Sequence, residues 1–377
     1  MDHTELLRIL SKLSNAPETK ILSGACDVED IGDGFMNHVL RIRSRENPDM
    51  TVVVKHSPSY HKFIPDQPLP AGRINLEFCS LNKFDELHPG CVPKPYVLSN
   101  EHSLVIMEDL HDYKTMRKAL MEGEFHMEAV KKVAETMAIL HRKTHRKCVS
   151  AAQFTELVNR FKNDEMLSMM DCAFFTFPLL PYHKTNQYSA EVKAQLPRIY
   201  GDQILQENAS KIRARHIAMK QCLVHGDFTT EAVMVKKDSA KVKIIDAEFA
   251  YIGPAAHDVG TLLANYIFSY YSHKLYPTEE SPGFYKNLED AMKTTLSIYL
   301  KDLNDYLTPD EIKSTVSDIA GFVGCYIFAR IIGRIKTFDM TGRPLAEVKC
   351  VDIGIRLLQR CTEITNQQQQ LDCIFKS

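Results

Sequence analysis

The sequence predicts an α+β fold of two lobes, a smaller one with an antiparallel sheet and a helix and a larger, mostly helical one. Its 377 residues exceed what one compact core usually contains. Short apolar strands separated by polar turns dominate up to about residue 110, and helical periodicity dominates after it. We therefore expect a first lobe at residues 1–110 and a second lobe at 111–377.

The composition restricts the class of protein. Hydrophobic residues make up 44% and charged residues 25%, as in an ordinary soluble globular protein. A net charge of -2 argues against an extended nucleic-acid surface. The ten cysteines show no zinc-site spacing, the start lacks the apolar core of a signal peptide, and no uncharged apolar segment reaches membrane-spanning length. We expect a reduced, cytoplasmic protein without nucleic-acid or membrane partners.

The first lobe begins with a helix at 4–14 and strands at 31–37, 38–43 and 51–55. The glycine pair Gly32 and Gly34 interrupts the first of these strands. Glycines let the backbone approach phosphate oxygens closely and present its N–H groups to them. The alternative is an ordinary tight turn, because Asp-Gly is common in hairpins.

Lys55 closes the Val-Val-Val-Lys strand, and Glu77 lies in a predicted helix at 73–87. A strand, a glycine loop, a second strand and then a strand with a lysine follow the order in which a kinase fold covers ATP. In such a fold, Glu77 could bind the Lys55 ammonium and direct it towards phosphates. The alternatives are an exposed strand-end lysine and a surface glutamate.

A strand pair at 97–98 and 103–107 leads into Glu108, Asp109 and Leu110. An extended linker between lobes can offer backbone N–H and C=O groups to an adenine edge. We expect residues 107–110 to form this hinge, with the backbone more important than the side chains.

The second lobe is predicted to be mostly helical. Helical patterns cover residues 113–121, 125–147, 152–170, 190–221, 285–303, 311–338 and 346–364. The tail at 366–373 is a short glutamine-rich run, which predicts a frayed end.

Three carboxylates flank two short strands, Val233 to Val235 and Val242 to Ile245, which are joined by a polar turn. Asp227 precedes the first strand, and Asp246 and Glu248 follow the second. An antiparallel hairpin would return the chain to its start, so the three acids would face one cavity. Asp246 and Glu248 would share a side if the backbone is still extended there.

This arrangement suits phosphoryl transfer. One carboxylate would orient an attacking hydroxyl and accept its proton, while the others would hold Mg²⁺ against nucleotide phosphates. The alternative is a turn cap at Asp227 and solvated strand-end charges at Asp246 and Glu248.

These residues resemble a known family. GDGFMNHVLRI, VVVKH, MEDLHDYKTMRKAL, LVHGDFTTEAVMV, DAEFAYIGP and GCYIFARIIGR are similar to segments of the methylthioribose kinases. That family belongs to the wider aminoglycoside and choline kinase group, which shares the protein-kinase-like fold.

The resemblance implies roles for particular residues. It implies ATP binding by Asn37, Lys55, Glu77, Glu108, Asp109, Leu110, Asp246, Ala247 and Glu248. It implies a catalytic base at Asp227 beside the sugar hydroxyl, and Mg²⁺ at Asp246 and Glu248. Arg330 takes the position of a substrate-binding arginine, and Arg334, one turn on along the predicted helix, is a weaker candidate.

The chain also departs from the family pattern. Thr229 replaces a histidine, Glu231 a glycine and Ala232 a serine, and related kinases have a metal-binding Asn at the position of Ala232. Ala329 replaces the first of two paired arginines. Without that Asn, Asp246 and Glu248 would have to hold the metal.

The hypothesis is an ATP- and Mg²⁺-dependent kinase that phosphorylates the 1-hydroxyl of 5-methylthioribose in methionine salvage. A second hypothesis keeps the fold but changes the acceptor to another sugar or an amino alcohol. A choline-type acceptor is disfavoured, since a cation cage usually needs aromatic residues and the chain has no Trp. A third is a nucleotide-binding pseudokinase, favoured by Ala232 and Ala329. The resemblance also implies a homodimer.

Overall fold

The computed structural model describes residues 3–13, 17–32, 36–61, 64–70, 72–237, 239–279 and 281–376. The chain divides into two compact units. The first comprises Met1–Tyr113 and Lys243–Phe249, and the second comprises Lys114–Val242 and Ala250–Ser377. The short segment with Asp246 and Glu248 therefore belongs to the first unit, although the second unit flanks it in sequence.

The strands are short. They are β1 (Cys26–Asp30), β2 (His38–Ser44), β3 (Thr51–His56), β4 (Tyr60–His61), β5 (Ile64–Pro68), β6 (Pro95–Ser99), β7 (Leu104–Glu108), β8 (Tyr113–Thr115), β9 (Cys222–Val224), β10 (Val233–Lys236), β11 (Val242–Ile244) and β12 (Tyr251–Gly253).

The longest helices belong to the second unit. In chain order, the helices are α1 (His3–Lys12), α2 (Arg73–Leu87), α3 (Met116–Met121), α4 (Met127–Thr144), α5 (Ala151–Arg160), α6 (Asp164–Met170), α7 (Ala190–Lys193), α8 (Leu196–Tyr200), α9 (Gln203–Ala218), α10 (Ala256–Leu275), α11 (Tyr285–Leu303), α12 (Pro309–Ile331), α13 (Pro344–Arg360) and α14 (Gln367–Phe375). The longest of these are α10, α11 and α12.

An antiparallel sheet in the order β1-β2-β3-β7-β6 forms the centre of the first unit. Helix α1 packs on one face, where Leu6 and Leu10 join a core with Val52 and Val54. Helix α2 packs against β6, β7 and the short turn at Ala247–Phe249. Strand β3 lies between two neighbours, so its last buried residue, Lys55, is held rigidly in the sheet.

Helices α10, α12 and α13 form the core of the second unit. A side chain at Gly260 of α10 would place its Cβ 2.7 Å from the Cβ of Phe322 in α12. A side chain at Gly324 of α12 would place its Cβ 2.6 Å from Leu358 Cγ in α13. These contacts let the helices approach closely, and a larger residue at either glycine would push them apart.

Helix α12 is the one helix among the described residues whose length and apolar composition would suffice to cross a membrane. Its most apolar stretch is 78% buried inside the second unit. Core helices of proteins without any membrane segment have the same properties, so α12 is weak evidence for a span.

The predicted fold class is confirmed, with an antiparallel sheet and a helix in one unit and mostly helices in the other. The predictions at 152–170 and 190–221 were wrong in treating each stretch as one helix, since α5 is separate from α6, and α7, α8 and α9 follow one another. The sequence patterns missed α10 altogether. Nearly every side of this helix is buried, so it lacks the polar face that gives an amphipathic pattern.

The tail predicted to fray forms α14 instead. Asn366 caps it by accepting a hydrogen bond from the Gln369 backbone N at 3.0 Å. Near its end, the Tyr271 hydroxyl of α10 donates to the Ile374 carbonyl oxygen at 2.7 Å. Capping and burial therefore order a segment whose composition suggested disorder.

Candidate active site

Lys55 is the centre of a cluster of charges in the first unit. It is 3% exposed, and its Nζ donates to Glu77 Oε1 at 2.7 Å and to Asp246 Oδ1 at 2.5 Å. The ion pair predicted between Lys55 and Glu77 is thus present. Asp246, which arrives from a distant part of the sequence, completes a carboxylate pair around one ammonium.

The charges in this cluster perturb one another. Burial alone would lower the pKa of Lys55, but Asp246, Glu77 and Glu248 together raise it above its ordinary value. Burial raises the pKa of Glu77 to about 7, against the opposing attraction of Lys55. The lysine therefore stays charged at neutral pH, as binding to phosphate requires.

The backbone at Asp246 is not extended. Its φ angle is 61°, in the left-handed region, and a 3₁₀ turn follows at Ala247–Phe249. The premise that would place Asp246 and Glu248 on one side of a strand is therefore wrong. Aspartate tolerates this region better than most residues, and strained backbone of this kind often occurs at functional sites.

Glu248 is buried among hydrogen-bond donors. Its Oε1 accepts from Asn37 Nδ2 at 2.8 Å, and its Oε2 accepts from Arg73 Nε at 3.1 Å. Asn37 Oδ1 in turn accepts from Ser57 Oγ at 2.7 Å. The candidate residues Asn37 and Glu248 are thus in direct contact, and buried Ala247 lies between the two acids in sequence.

Sequence reasoning missed Arg73, which is 3% exposed at the start of α2. A signal for it existed, because Arg73 lies four residues before Glu77 and so shares its face of the helix. No pattern within the sequence links it to Glu248, which lies far along the chain.

The predicted hinge carboxylates are held by basic side chains. Arg41 Nε donates to Asp109 Oδ2 at 2.7 Å, and its Nη2 donates to Oδ1 at 3.2 Å. Lys243 Nζ donates to Glu108 Oε2 at 2.9 Å. These contacts fix the backbone that leads to buried Leu110.

The predicted glycine loop lies partly outside the described residues. Asp33, Gly34 and Phe35 are not described, whereas Gly32 is. The Gly32 backbone N donates to Asp30 Oδ1 at 3.0 Å directly after β1. The strand predicted at 31–37 is therefore misplaced, because β1 ends at Asp30.

Asp227 and Arg330 lie together in the second unit. Arg330 Nη2 donates to Asp227 Oδ1 at 3.4 Å, and Arg330 Nε donates to the Tyr326 hydroxyl at 2.8 Å. The guanidinium carbon lies 5.1 Å from the ring centre of Phe174 and 4.9 Å from that of Tyr326. Two aromatic rings thus support a cation beside the predicted base.

Arg334 does not lie on the helix face that carries Arg330, contrary to the prediction. Helix α12 ends at Ile331, and Arg334 is exposed in the bend that follows. The Gly333 backbone N donates to the Phe328 carbonyl oxygen at 3.2 Å, an i→i−5 bond that replaces the i→i−4 bond of an α-helix where α12 ends.

A buried carboxylate fixes the loop that precedes Asp227. Asp258 Oδ2 accepts from the His225 backbone N at 2.7 Å, and Oδ1 accepts from the Gly226 backbone N at 2.9 Å. His141 Nε2 lies 3.1 Å from Oδ2. Burial would raise the pKa of Asp258, but the bond to His141 and neighbouring imidazoles lower it below its ordinary value.

The residues that depart from the family pattern have structural roles. Glu231 Oε2 lies 2.7 Å from Arg117 Nη2 of α3. Thr229 Oγ1 accepts from the Ala232 backbone N at 3.1 Å and closes a turn. Ala232 and Ala329 are each 3% exposed. The unusual segment is therefore packed into the second unit.

A metal site cannot be identified from protein ligands alone. Throughout the described ranges, no group of three or more His, Cys, Asp or Glu side chains could hold a metal ion. The Asp246 carboxylate is a hard oxygen ligand with a side chain 49% exposed. One or two carboxylates completed by phosphate oxygens and water would suit Mg²⁺.

Each unit carries its own group of charged side chains. The first has the charged Lys55, which binds the carboxylates of Glu77 and Asp246, and the Asp246 side chain is partly exposed. The second has a carboxylate beside an arginine, which could handle a hydroxyl proton and negative charge.

The chain is similar to known proteins over most of its length. The chain is 26% identical to the methylthioribose kinase of Bacillus velezensis over 357 residues, which cover 91% of this chain and 89% of that one. It is 27% identical to the methylthioribose kinase of Geobacillus kaustophilus, over 87% of this chain and 86% of that one.

A solved ethanolamine kinase from Plasmodium vivax has the same fold. Its TM-score is 0.52, with 13% identity over 91% of this chain and 86% of that chain. This likeness concerns the fold alone, and it confirms the protein-kinase-like fold that the sequence predicts. The model of the phosphotransferase enzyme family matches residues 31–292, from the end of the first strand to helix α11. That match covers more than half of the chain, which therefore belongs to the phosphotransferase enzyme family.

Proposed function

We propose that the protein is an ATP-dependent kinase that phosphorylates the 1-hydroxyl of 5-methylthioribose within methionine salvage. The observation that carries the proposal is buried Lys55, which binds Glu77 and Asp246 at once. A lysine oriented in this way can neutralise the charge of nucleotide phosphates. The likeness to methylthioribose kinases over most of the chain supports the choice of acceptor.

The residues of the second unit would act on the acceptor. An oxygen of the Asp227 carboxylate orients the attacking hydroxyl and takes its proton. The hydroxyl oxygen bonds to the γ-phosphorus of ATP while the bond from that phosphorus to the β-γ bridging oxygen breaks, and ADP leaves. Arg330, supported by Phe174 and Tyr326, offsets the negative charge that develops on the transferring group.

Mg²⁺ is part of the proposal, with Asp246 and Glu248 as the residues that would hold it. A bound ion would supply positive charge against the phosphate oxygens. Asp246 fits this role better, because Glu248 is 4% exposed and already accepts hydrogen bonds from Asn37 and Arg73.

Hinge residues Glu108, Asp109 and Leu110 are proposed to bind adenine through their backbone. Arg41 and Lys243 would act by keeping that backbone in place, since they bind the two carboxylates. We also propose a cytoplasmic homodimer, which sedimentation of the purified protein would test.

Acceptor specificity decides the proposal. Purified protein with Mg-ATP is assayed by coupled ADP release against methylthioribose, ribose, glucosamine, choline and ethanolamine, and phosphorus NMR locates the phosphate on the product. We expect kcat/KM for methylthioribose to exceed that for ribose by about 10-fold or more, the usual value of one well-packed apolar group. A higher kcat/KM for another acceptor would contradict the proposed substrate.

A second candidate keeps the reaction but changes the acceptor. The observation that favours it is the ion pair between Glu231 and Arg117, which puts a charged pair in a segment where the resembling family has a glycine. The same acceptor panel separates the two. ATP binding without turnover on any acceptor would instead support the pseudokinase hypothesis, for which Ala232 and Ala329 are the reasons.

A further inference from the structure

Arg73 joins several parts of the first unit at a single point. Its Nη1 donates to the Pro58 carbonyl oxygen at 2.7 Å and to the Pro70 carbonyl oxygen at 3.3 Å. Its Nη2 donates to the Met36 carbonyl oxygen at 3.0 Å. One guanidinium therefore binds the backbone at three places: Pro58 in the loop after β3, Pro70 shortly before α2, and Met36 shortly before β2.

Arg73 also binds two of the candidate nucleotide-site residues. Its Nε donates to Glu248 Oε2 at 3.1 Å, and its Nη2 donates to Asn37 Oδ1 at 3.0 Å. Asn37 donates to the other oxygen of Glu248 at 2.8 Å. The three side chains thus form a closed ring of hydrogen bonds, and each is at most 6% exposed.

Helix α2 connects this ring to the lysine cluster. Arg73 and Glu77 lie one turn apart on the same face. Glu77 binds Lys55, which binds Asp246, while Arg73 binds Glu248. One helix therefore holds both acids of the Asp-Ala-Glu segment, the first through Lys55 and the second directly.

Because Glu248 is buried, its carboxylate depends on the donors around it. A buried carboxylate needs compensating donors, and removing one member of a buried ion pair leaves the other charge uncompensated. Glu248 has two such donors, Asn37 and Arg73, and its side chain is 6% exposed, whereas that of Asp246 is 49% exposed. These surroundings suit a residue that holds the Asp-Ala-Glu segment in place.

We propose that Arg73 is a positioning residue that fixes Glu248 and Asn37, so that Glu248 anchors the segment from which Asp246 alone presents a carboxylate to the cation of a nucleoside triphosphate. This inference rests on the proposed function for the location of the nucleotide. It differs from it in assigning Glu248 to the protein framework and in adding Arg73 to the site.

Nucleotide affinity with and without Mg²⁺ tests the assignment, and no acceptor is needed. The dissociation constants of ADP and of a non-hydrolysable ATP analogue are measured by calorimetry, in Mg²⁺ and in EDTA. We expect Arg73→Gln and Glu248→Gln each to weaken binding by about 10-fold to 100-fold in both conditions. Either substitution would displace Asn37, and the contact proposed between Asn37 and the nucleotide does not involve the ion. Asp246→Asn should weaken binding mainly in Mg²⁺.

Two further variants separate positioning from general destabilisation. Arg73→Lys keeps the charge but loses the planar guanidinium and its several N–H donors. It should therefore recover part of the affinity lost in Arg73→Gln. The double variant Arg73→Gln/Glu248→Gln should bind within about 3-fold of the weaker single variant, since both act through one contact.

A matched control is Arg215→Gln, which breaks an ion pair with buried Asp318 in the second unit. It should lower the melting temperature while leaving nucleotide affinity within about 2-fold of the unsubstituted chain. If Arg73→Gln lowers the melting temperature but leaves nucleotide affinity unchanged, as expected of this control, the inference is overturned. A loss for Glu248→Gln confined to Mg²⁺ would also overturn it, since it would make Glu248 a metal ligand.

The outcomes also separate this inference from the proposed function. Tight nucleotide binding that depends on Arg73, without transfer to methylthioribose, leaves the inference standing and removes the proposed acceptor. Transfer to methylthioribose with a nucleotide affinity that does not depend on Arg73 supports the proposed function and overturns the inference about Arg73. A chain that binds no nucleotide overturns both.

Discussion

Arg330 Nη2 lies 3.4 Å from Asp227 Oδ1, and the guanidinium lies against the stacked rings of Phe174 and Tyr326. The arginine is therefore fixed before any substrate arrives. Phe174 lies in a six-residue π-helical turn, Asp171–Thr176, a rare local structure that is frequent at functional sites. This geometry places a cation and a carboxylate next to each other where proton transfer is proposed.

Replacing Asp227 by Asn should abolish the base while keeping the shape of the side chain. We expect kcat to fall by about 10³-fold to 10⁴-fold, because the amide cannot take the proton of the hydroxyl. ATP affinity should change little, since Asn keeps the size and shape of the side chain and the role proposed for Asp227 is towards the hydroxyl. Steady-state kinetics and calorimetry check the two parts, and near-normal turnover would remove Asp227 from its proposed role.

Arg330→Lys keeps a positive charge but cannot lie against both rings and donate to the Tyr326 hydroxyl at the same time. We expect kcat to decrease by about 10²-fold, a typical loss when an electrostatic donor to a transition state is removed. The change is measured at saturating ATP. Arg360→Lys is the control, because Arg360 is exposed at the end of α13 and pairs only with Glu363 among the contacts that involve its charge; equal losses in both variants would contradict a specific role for Arg330.

How far the sequence predicts the site depends on the distance over which each contact forms. The Lys55–Glu77 pair follows from a strand and a helix whose patterns are strong, and it is present at 2.7 Å. The partners of Glu248 could not be predicted, because its contacts with Asn37 and Arg73 join residues far apart in sequence. Only the tertiary fold brings such residues together.

The fold shows the same division. Amphipathic helices such as α2 and α11 follow from their periodicity, and α2 begins and ends where the pattern predicts. Helix α10 is buried nearly all round and therefore carries no such period. Asp246 illustrates a third case, since a left-handed residue after β11 leaves no signature in an Asp-Ala-Glu sequence.

The backbone of Asp246 allows charge and conformation to be separated. Asn tolerates a φ of 61° about as well as Asp does, whereas Ala does not. Asp246→Asn and Asp246→Ala should both lose the Mg²⁺-dependent part of activity. Urea unfolding should show Asp246→Ala to be less stable than Asp246→Asn by about 1 kcal/mol, and equal stabilities would argue against left-handed strain at this residue.

Asp258 should support catalysis through the loop before Asp227. In Asp258→Asn, the amide group can accept from one of the His225 and Gly226 backbone N–H groups but faces the other as a donor. We expect the free energy of unfolding to fall by about 1–3 kcal/mol, the cost of an unsatisfied buried donor. We also expect kcat to fall, because Asp227 follows Gly226 directly.

Urea unfolding and kinetics of Asp258→Asn measure both effects. Asp305→Asn is the control, since Asp305 has a side chain 65% exposed and pairs with Arg142 at the surface. It should change neither quantity appreciably. Loss of stability in Asp258→Asn without any change in kcat would show that the loop tolerates the substitution.

Acid should destabilise the protein through buried histidines of the second unit. Burial lowers the pKa of His216 from 6.5 to about 2 and that of His257 from 6.5 to about 4. The Tyr251 hydroxyl bridges both rings, at 2.9 Å from His216 Nδ1 and 3.2 Å from His257 Nδ1. Because both folded-state values lie below the unfolded value, the stabilisation is complete above pH 6.5 and is lost as the pH falls.

Each neutral buried histidine should reduce the free energy of unfolding by about 1.4 kcal/mol per pH unit below its unfolded pKa. His216→Phe removes one of the two groups while retaining a ring that can stack on Phe175, which lies 4.4 Å from the His216 ring centre. Urea unfolding is followed between pH 7.5 and 4.5. Below about pH 6 the slope should be smaller by about 1.4 kcal/mol per pH unit than in the unsubstituted chain, whereas above about pH 7 the two slopes should be nearly equal. Exposed His111 offers the control, since His111→Gln should leave the slope unchanged; a slope for His216→Phe equal to that of this control would mean that His216 can take up a proton inside the folded protein.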